Sequence, residues 1–268
     1  MIIVGGRIST SLKGIDPMVD SRDSEAISNL AVYQRNLGAH WIGVNAGTRR
    51  ETEPDDTQWL VRTVQSATSL PVWIDTPSPE AMEAGLKVHD SSSGPPIVDS
   101  TTGEPERLSA MVSLARKYSG ALVGLMLDGN GIPKDAKGRV AVGARIVESA
   151  LSAGIPKDWI YLDPLVMPVG VDGGGINLFR ETLMLAKEEL GVKISCAPDN
   201  VSFGLPATGL VDQALTIMCA AWGVDLVLVE LDEQMIGAIR AAEMLLGQDR
   251  ACRQFLKGYR AGHYKGFY

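Results

Sequence analysis

The sequence predicts a (β/α)8 TIM barrel, and three observations carry that expectation. Eight short apolar runs are each followed by a stretch with helical spacing. The length of 268 residues lies close to the about 250 that such a barrel takes as one domain. No linker or composition break divides the chain, so residues 1–268 read as a single barrel domain.

Taken in order, Ile2 to Gly5 reads as a first strand, followed by a Gly/Ser/Asp-rich loop. The next helix runs from Ser24 to Leu37, with Ile27, Leu30, Ala31 and Tyr33 at helical spacing and Gly38 as its stop. His40 to Val44 is the second strand; a helix through Leu60, Val61 and Val64 follows Asp55 and Asp56, and Pro71 to Ile74 is the third strand. Pro79 opens a helix through Leu86, and Pro96 to Val98 is a short fourth strand. From Glu104 to Tyr118 a helix places Leu108, Met111, Val112 and Ala115 on one face, and Ala121 to Leu127 is the fifth strand. Helix Val140 to Ala153, strand Trp159 to Leu162, the glycine-rich loop Gly170 to Gly175 and helix Leu178 to Leu190 follow. The last units are strand Gly191 to Cys196, helix Leu210 to Trp222, strand Leu226 to Val229 and helix Met235 to Leu246. The tail from Cys252 to Tyr268 mixes Arg, Lys and aromatics and reads as a surface extension or an oligomer contact.

Several apolar runs close on one polar residue: Asn45, Asp75, Asp99 and Asp163, with Asp128 after the fifth strand. The seventh empties into a loop where Asp199, Asn200 and Ser202 present carboxylate, amide and hydroxyl together. Parallel barrel strands deliver such residues to one shared mouth. Asp75, Asp99 and Asp163 supply acceptors, while Lys and Arg are scarce in the adjoining loops. Buried acceptors need donors, so the expected ligand is rich in N–H groups, as is the flat 2-amino-4-oxo ring system of a pterin. The competing reading makes these residues helix caps or Asx turns. Asp163 precedes Pro164 and Asp75 lies well before its helix, so neither occupies an obvious cap position.

Other chemistries find less support. A formal charge of -7 argues against nucleic acid or an anionic membrane as main partner, since phosphates are bound through clustered Lys and Arg. No run reaches the about 18 apolar residues of a spanning helix, and Met1 to Arg7 is too short for a signal peptide. Cys196, Cys219 and Cys252 form no C-x-x-C pair or Cys/His cluster, so no metal site and a reducing, cytoplasmic setting are expected. His40 and His89 lie at a strand start and a helix end and read as structural. Ser195-Cys196 lacks a nucleophile elbow. Gly173-Gly174-Gly175 lacks the phosphate-loop lysine and reads as a hinge.

Taken together, Asn45-Ala46-Gly47, Trp73-Ile74-Asp75-Thr76, Val98-Asp99-Ser100-Thr101, Gly131-Ile132-Pro133-Lys134-Asp135, Tyr161-Leu162-Asp163-Pro164-Leu165 and the run Asp199 to Pro206 resemble the methyltetrahydrofolate:corrinoid-protein methyltransferases. That barrel is also the folate module of cobalamin-dependent methionine synthase and is more distantly similar to dihydropteroate synthase. The resemblance spans nearly the whole chain. It implies a methyltransferase acting between N5 of tetrahydrofolate and the cobalt of a corrinoid carried by a partner protein, serving a demethylation pathway such as O-demethylation or methylated-amine use. It implies that Asp75 and Asp163 bind the pterin, that Asp99 takes the place of a pterin-binding asparagine, and that Asn200 approaches N5. Ser202 joins this set as a pterin contact, with Asn45 and Asp128 as further candidates.

Two positions depart from the family pattern. Asp99 replaces an amide by an acceptor, so its contacts are re-paired or it carries a proton. Gly43 stands where relatives have an acidic residue. The direction of transfer stays open, because one site lowers the barrier for both. Two alternatives also stay open: a dihydropteroate synthase-like pterin enzyme, against which Arg260-Ala261-Gly262-His263 lacks the expected Arg-x-His spacing, and a non-catalytic folate-binding subunit. A docked corrinoid protein requires an open mouth with Gly170 to Gly175 and Asp199 to Pro206 free to adjust. A homodimer built away from that mouth is expected.

Overall fold

The structure, a computed structural model, describes residues 1–264. Eight parallel strands close in sequence order into a barrel. They are β1 (Ile2–Ser9), β2 (Trp41–Asn45), β3 (Val72–Asp75), β4 (Ile97–Thr101), β5 (Ala121–Leu125), β6 (Ile160–Asp163), β7 (Lys193–Cys196) and β8 (Leu226–Val229). Around them run α1 (Ile15–Asp20), α2 (Ser24–Leu37), α3 (Glu53–Thr68), α4 (Pro79–Val88), α5 (Pro105–Lys117), α6 (Ala136–Ser152), α7 (Gly175–Glu189), α8 (Thr208–Trp222), α9 (Glu233–Leu245) and α10 (Arg253–Arg260). None of these helices is long and apolar enough to cross a membrane.

Each strand's alternation divides its side chains between two cores. Outward residues such as Ile3, Ile42, Ile74, Val98, Leu122 and Leu162 meet the helices, where Phe179 and Met111 are fully buried. Inward residues Val4, Trp73, Ile97, Val123, Tyr161 and Leu226 fill the barrel itself. The lumen is therefore packed below and open only at the C-terminal mouth. The structural reading of both histidines agrees with their contacts. Nδ1 of His40 accepts from the Ile3 amide at 3.0 Å, and Nε2 of His89 accepts from the Val72 amide at 3.2 Å, both at the closed end.

The structure corrects four local expectations. β1 continues past Gly5 to Ser9, with an irregularity between Gly5 and Ile8, so it reaches the mouth level with Asn45. The loop after it contains the short helix α1. The glycine run is partly helix, because Gly175 begins α7 and the Gly174 amide is held by Asp172 at 3.0 Å. The tail folds back as α10, and Tyr264 is buried against Phe255 at 5.0 Å between ring centroids; the remainder of that segment, residues 265–268, lies outside the described residues.

The helix caps are not the strand-end acids. Asp23, Ser78, Asp135 and Asp232 cap α2, α4, α6 and α9 by accepting from the backbone amide three residues on. One long side chain ties two mouth loops together. Arg139 on α6 is 2% exposed and donates to the carbonyls of Pro133, Pro164 and Leu165. Replacing it strands those buried acceptors, so Arg139→Met is expected to lower unfolding stability by about 3 kcal/mol in denaturant titrations. A change below about 0.5 kcal/mol would show that the loops hold without it.

Candidate active site

Register places the polar strand ends in one layer. Ser9 pairs with Asn45 across β1 and β2, Asp75 with Asp99 across β3 and β4, and Leu125 with Asp163 across β5 and β6. These residues, together with Asp199, Asn200 and Glu230, line a cavity of about 350 Å³ whose floor includes Trp73 and Gly43. That volume suits one bicyclic ligand.

The layer is built by short hydrogen bonds. Asn45 turns its carbonyl oxygen back to the Gly47 amide at 2.8 Å, an Asx turn, and gives its amide N–H to Oδ2 of Asp75 at 2.8 Å. Asp163 accepts from the Leu165 amide at 2.8 Å through Oδ1. Both competing readings thus hold for Asn45 and Asp163, since each forms a turn and still faces the cavity. Asp99 accepts from the indole N–H of Trp73 at 2.9 Å through Oδ2. No Lys or Arg forms an ion pair with Asp75, Asp99 or Asp163 among the described residues. Arg107 spends its N–H groups on the Ser100 carbonyl at 3.0 and 3.3 Å.

Burial without a countercharge shows in the acidities. Burial holds Asp99 well above the carboxylate range, reinforced by the charges of Asp75 and Asp163 and opposed by the Trp73 bond. Asp163 is pushed up to about 7, again mainly by burial. Asp75 is raised by burial, opposed by the Asn45 bond and helped by Glu53, which accepts from Thr76. Asp199 is pushed up to about 6 by burial and by Asp212 and Glu230.

Two candidates lie off the cavity wall. Ser202 is 2% exposed behind the β7 loop, its hydroxyl 3.3 Å from the Asp199 carbonyl. Asp128 pairs with Arg145 and accepts from the Asn130 amide at 2.9 Å, which consumes its carboxylate in the loop. Conversely, Ser9, Glu230 and Cys196 line the cavity although no motif marks them, and Trp73, whose motif marks only its neighbour Asp75 as a ligand residue, lines it too. At Gly43 a Cβ would fit tightly, within 3.1 Å of the Leu228 side-chain end and 3.4 Å of the Gly5 carbonyl.

A family model described as pterin binding enzyme matches residues 15–230. The chain belongs to the pterin-binding enzyme family. Within it, the chain is 30% identical to the methylcorrinoid:tetrahydrofolate methyltransferase of Eubacterium limosum, over 98% of this chain and 97% of that one. It is 21% identical to methionine synthase of Mycobacterium tuberculosis over 85% of its own length, which is 20% of that larger protein. Among solved structures, dihydropteroate synthase of Xanthomonas albilineans with 4-aminobenzoic acid superposes with a TM-score of 0.69 at 17% identity over 93% of each chain. Dihydropteroate synthase of Stenotrophomonas maltophilia gives 0.66 at 16%, again over 93% of each. At those identities the likeness establishes the barrel.

The acid layer of this pterin-binding barrel makes a stability prediction. A carboxyl whose acidity is weakened by folding destabilises the fold increasingly as pH rises from its unfolded value towards its folded one. Asp99→Asn removes that penalty, so its gain in melting temperature over native protein is expected to grow from about pH 5 to about pH 8. An equal gain at both ends would mean that Asp99 is ionised throughout.

Proposed function

We propose that the chain is a methyltetrahydrofolate:corrinoid protein methyltransferase, moving a methyl group between N5 of tetrahydrofolate and the cobalt of a corrinoid held by a separate protein. The observation that carries this reading is the convergence of Asp75, Asp99, Asp163 and Asn200 on one cavity, in a chain matched end to end by a relative named for that transfer.

The residues divide the work. Asp75 and Asp163 accept from the N–H groups of the pterin ring. Asp99, with Oδ2 engaged by Trp73, acts as a neutral acid whose second oxygen donates; this restores the donor and acceptor of the asparagine that the family pattern has there. Demethylation leaves electrons on N5, so the step is accelerated by a proton or a strong hydrogen bond at that atom. Asn200, exposed on the turn Pro198–Ser202 after β7, supplies the hydrogen bond. The nucleophile is the Co(I) of the partner's corrinoid, so the chain needs none of its own. Run in reverse, the same groups accept a methyl group from a methylcorrinoid, and the demethylation pathway served is a matter of which partner docks. The three free cysteines fit a cytoplasmic setting.

The expected homodimer belongs to this reading. Met184 on α7 and Ile217 and Met218 on α8 are exposed apolar side chains on neighbouring helices, which a contact between two copies would bury. A monomeric mass by light scattering would remove the dimer.

Asn200→Ala tests the chemistry. With 5-methyltetrahydrofolate and cob(I)alamin, followed by cobalt absorbance, the methyl-transfer rate is expected to fall about 10²- to 10³-fold while folate binding is largely kept. Native-like transfer by this variant would exclude the role given to Asn200. Release of pyrophosphate from a pterin pyrophosphate and 4-aminobenzoate would overturn the assignment.

A further inference from the structure

The cavity's β7–β8 side carries a feature that ring binding leaves unused. Asp199 and Glu230 line the main cavity beside Asn200, and both also line a second cavity of about 90 Å³ between β8 and the start of α8. The two carboxyls therefore form the partition between the ring site and a smaller space with an exposed rim at Thr208 and Gly209. Asp212 of α8 lines that second space, and among the described residues its buried Oδ1 has no hydrogen-bond partner.

We propose that the Asp199 carboxyl hands a proton to N5 as the methyl group leaves, and that Glu230 and Asp212 link Asp199 to solvent through the smaller cavity. The inference rests on the methyl-transfer reading above. Asn200 and Asp199 are consecutive on one short turn and both line the ring cavity, so the carboxyl belongs to the same sector of the site as the amide placed to bond N5. In the forward step the N5–CH3 bond breaks and its electron pair goes to N5. The Co(I) pair forms the Co–CH3 bond, the proton passes from Asp199 to N5, and the resulting carboxylate is reprotonated from solvent. In reverse, N5 attacks the methyl group of the methylcorrinoid and the carboxylate takes the proton that N5 sheds.

The surroundings suit a proton carrier. Asp199 is pushed up to about 6, first by burial and then by Asp212 and Glu230, which places its exchange close to neutrality, where acid–base catalysis works best. Asp232 and Arg7 also border the smaller cavity, and the Cys196 thiol packs against that of Cys219 on α8 at 3.8 Å. Among the described residues Asp199 forms no ion pair that would fix it as a carboxylate. Asp75, Asp99 and Asp163 stand on the strand ends of β3, β4 and β6, and the proposed function already gives them to the ring's N–H groups and amide.

The test is single-turnover methyl transfer from 5-methyltetrahydrofolate to cob(I)alamin between about pH 5 and about pH 8, with folate affinity measured by calorimetry on the same samples. For the native protein the rate is expected to fall as pH rises through about 6, because the acid form is the active one. Asp199→Asn is expected to lose about 10²-fold in rate at the acidic end, to lose the pH limb, and to bind folate as the native protein does. Asp199→Glu is expected to recover part of the rate together with the limb. Asp212→Asn keeps the acid but removes a neighbouring negative charge, so the limb moves to lower pH. An Asp199→Asn variant with native rate and native limb overturns the proposal, as does one whose rate loss is matched by an equal loss of folate binding. A native protein that binds no folate fails the methyl-transfer reading first, and that outcome is separate from either.

Discussion

Three buried carboxyl groups share one mouth without an ion pair to any of them among the described residues, and most of the site follows from that constraint. Arg107 and Arg139 stand close enough to oppose the shifts of the acids, yet both give their N–H groups to backbone carbonyls. They shape the loops and leave the acids short of donors. A buried carboxyl in that position is either neutral or waiting for a ligand that donates. The barrel makes the arrangement affordable because Trp73 and the residues beneath it keep the lumen filled and rigid.

The mouth is asymmetric in a way that suits transfer chemistry. The sector from β2 to β6 supplies Asn45, Asp75, Asp99 and Asp163 from strand ends, a fixed edge for a flat ring. From β7 round to β1, the sector carries Asp199, Asn200, Glu230 and Ser9, placed mainly on turns rather than inside strands. Rigid strand ends hold the ring, and turn residues can follow the reacting atom. The loop before α6 and the loop after β6 are joined by Arg139.

Much of this was legible in the sequence because a parallel barrel turns a local pattern into a global location. An apolar run that ends on Asp75 or Asp163 already states that the side chain points into the mouth, and the strand count states that the mouths coincide. Turn chemistry was half legible: Asn45 and Asp163 do form Asx turns, and a turn donor occupies only one of their polar atoms. Other features had no local signal. β1 runs on through an irregularity after two glycines, which breaks the alternation that would have carried Ser9 to the mouth. Arg139 belongs to a helix and reaches loops 6 to 26 residues away. Asp128 looked like a mouth residue until Arg145, 17 residues on, claimed it. Trp73 reads as core, and its role as the donor to Asp99 depends on a register that no single strand encodes.

The central claim is that these carboxyls keep hydrogen-bonding capacity for a donor-rich ring beyond the single bonds they already accept. Calorimetric titration of the native protein with 5-methyltetrahydrofolate at about pH 7, repeated in two buffers of different ionisation enthalpy, tests it most directly. The account predicts one ligand per chain and a net release of protons, because ring N–H groups stabilise the ionised form of Asp163, which is half protonated near that pH. Absence of binding, or binding with net proton uptake, would contradict it.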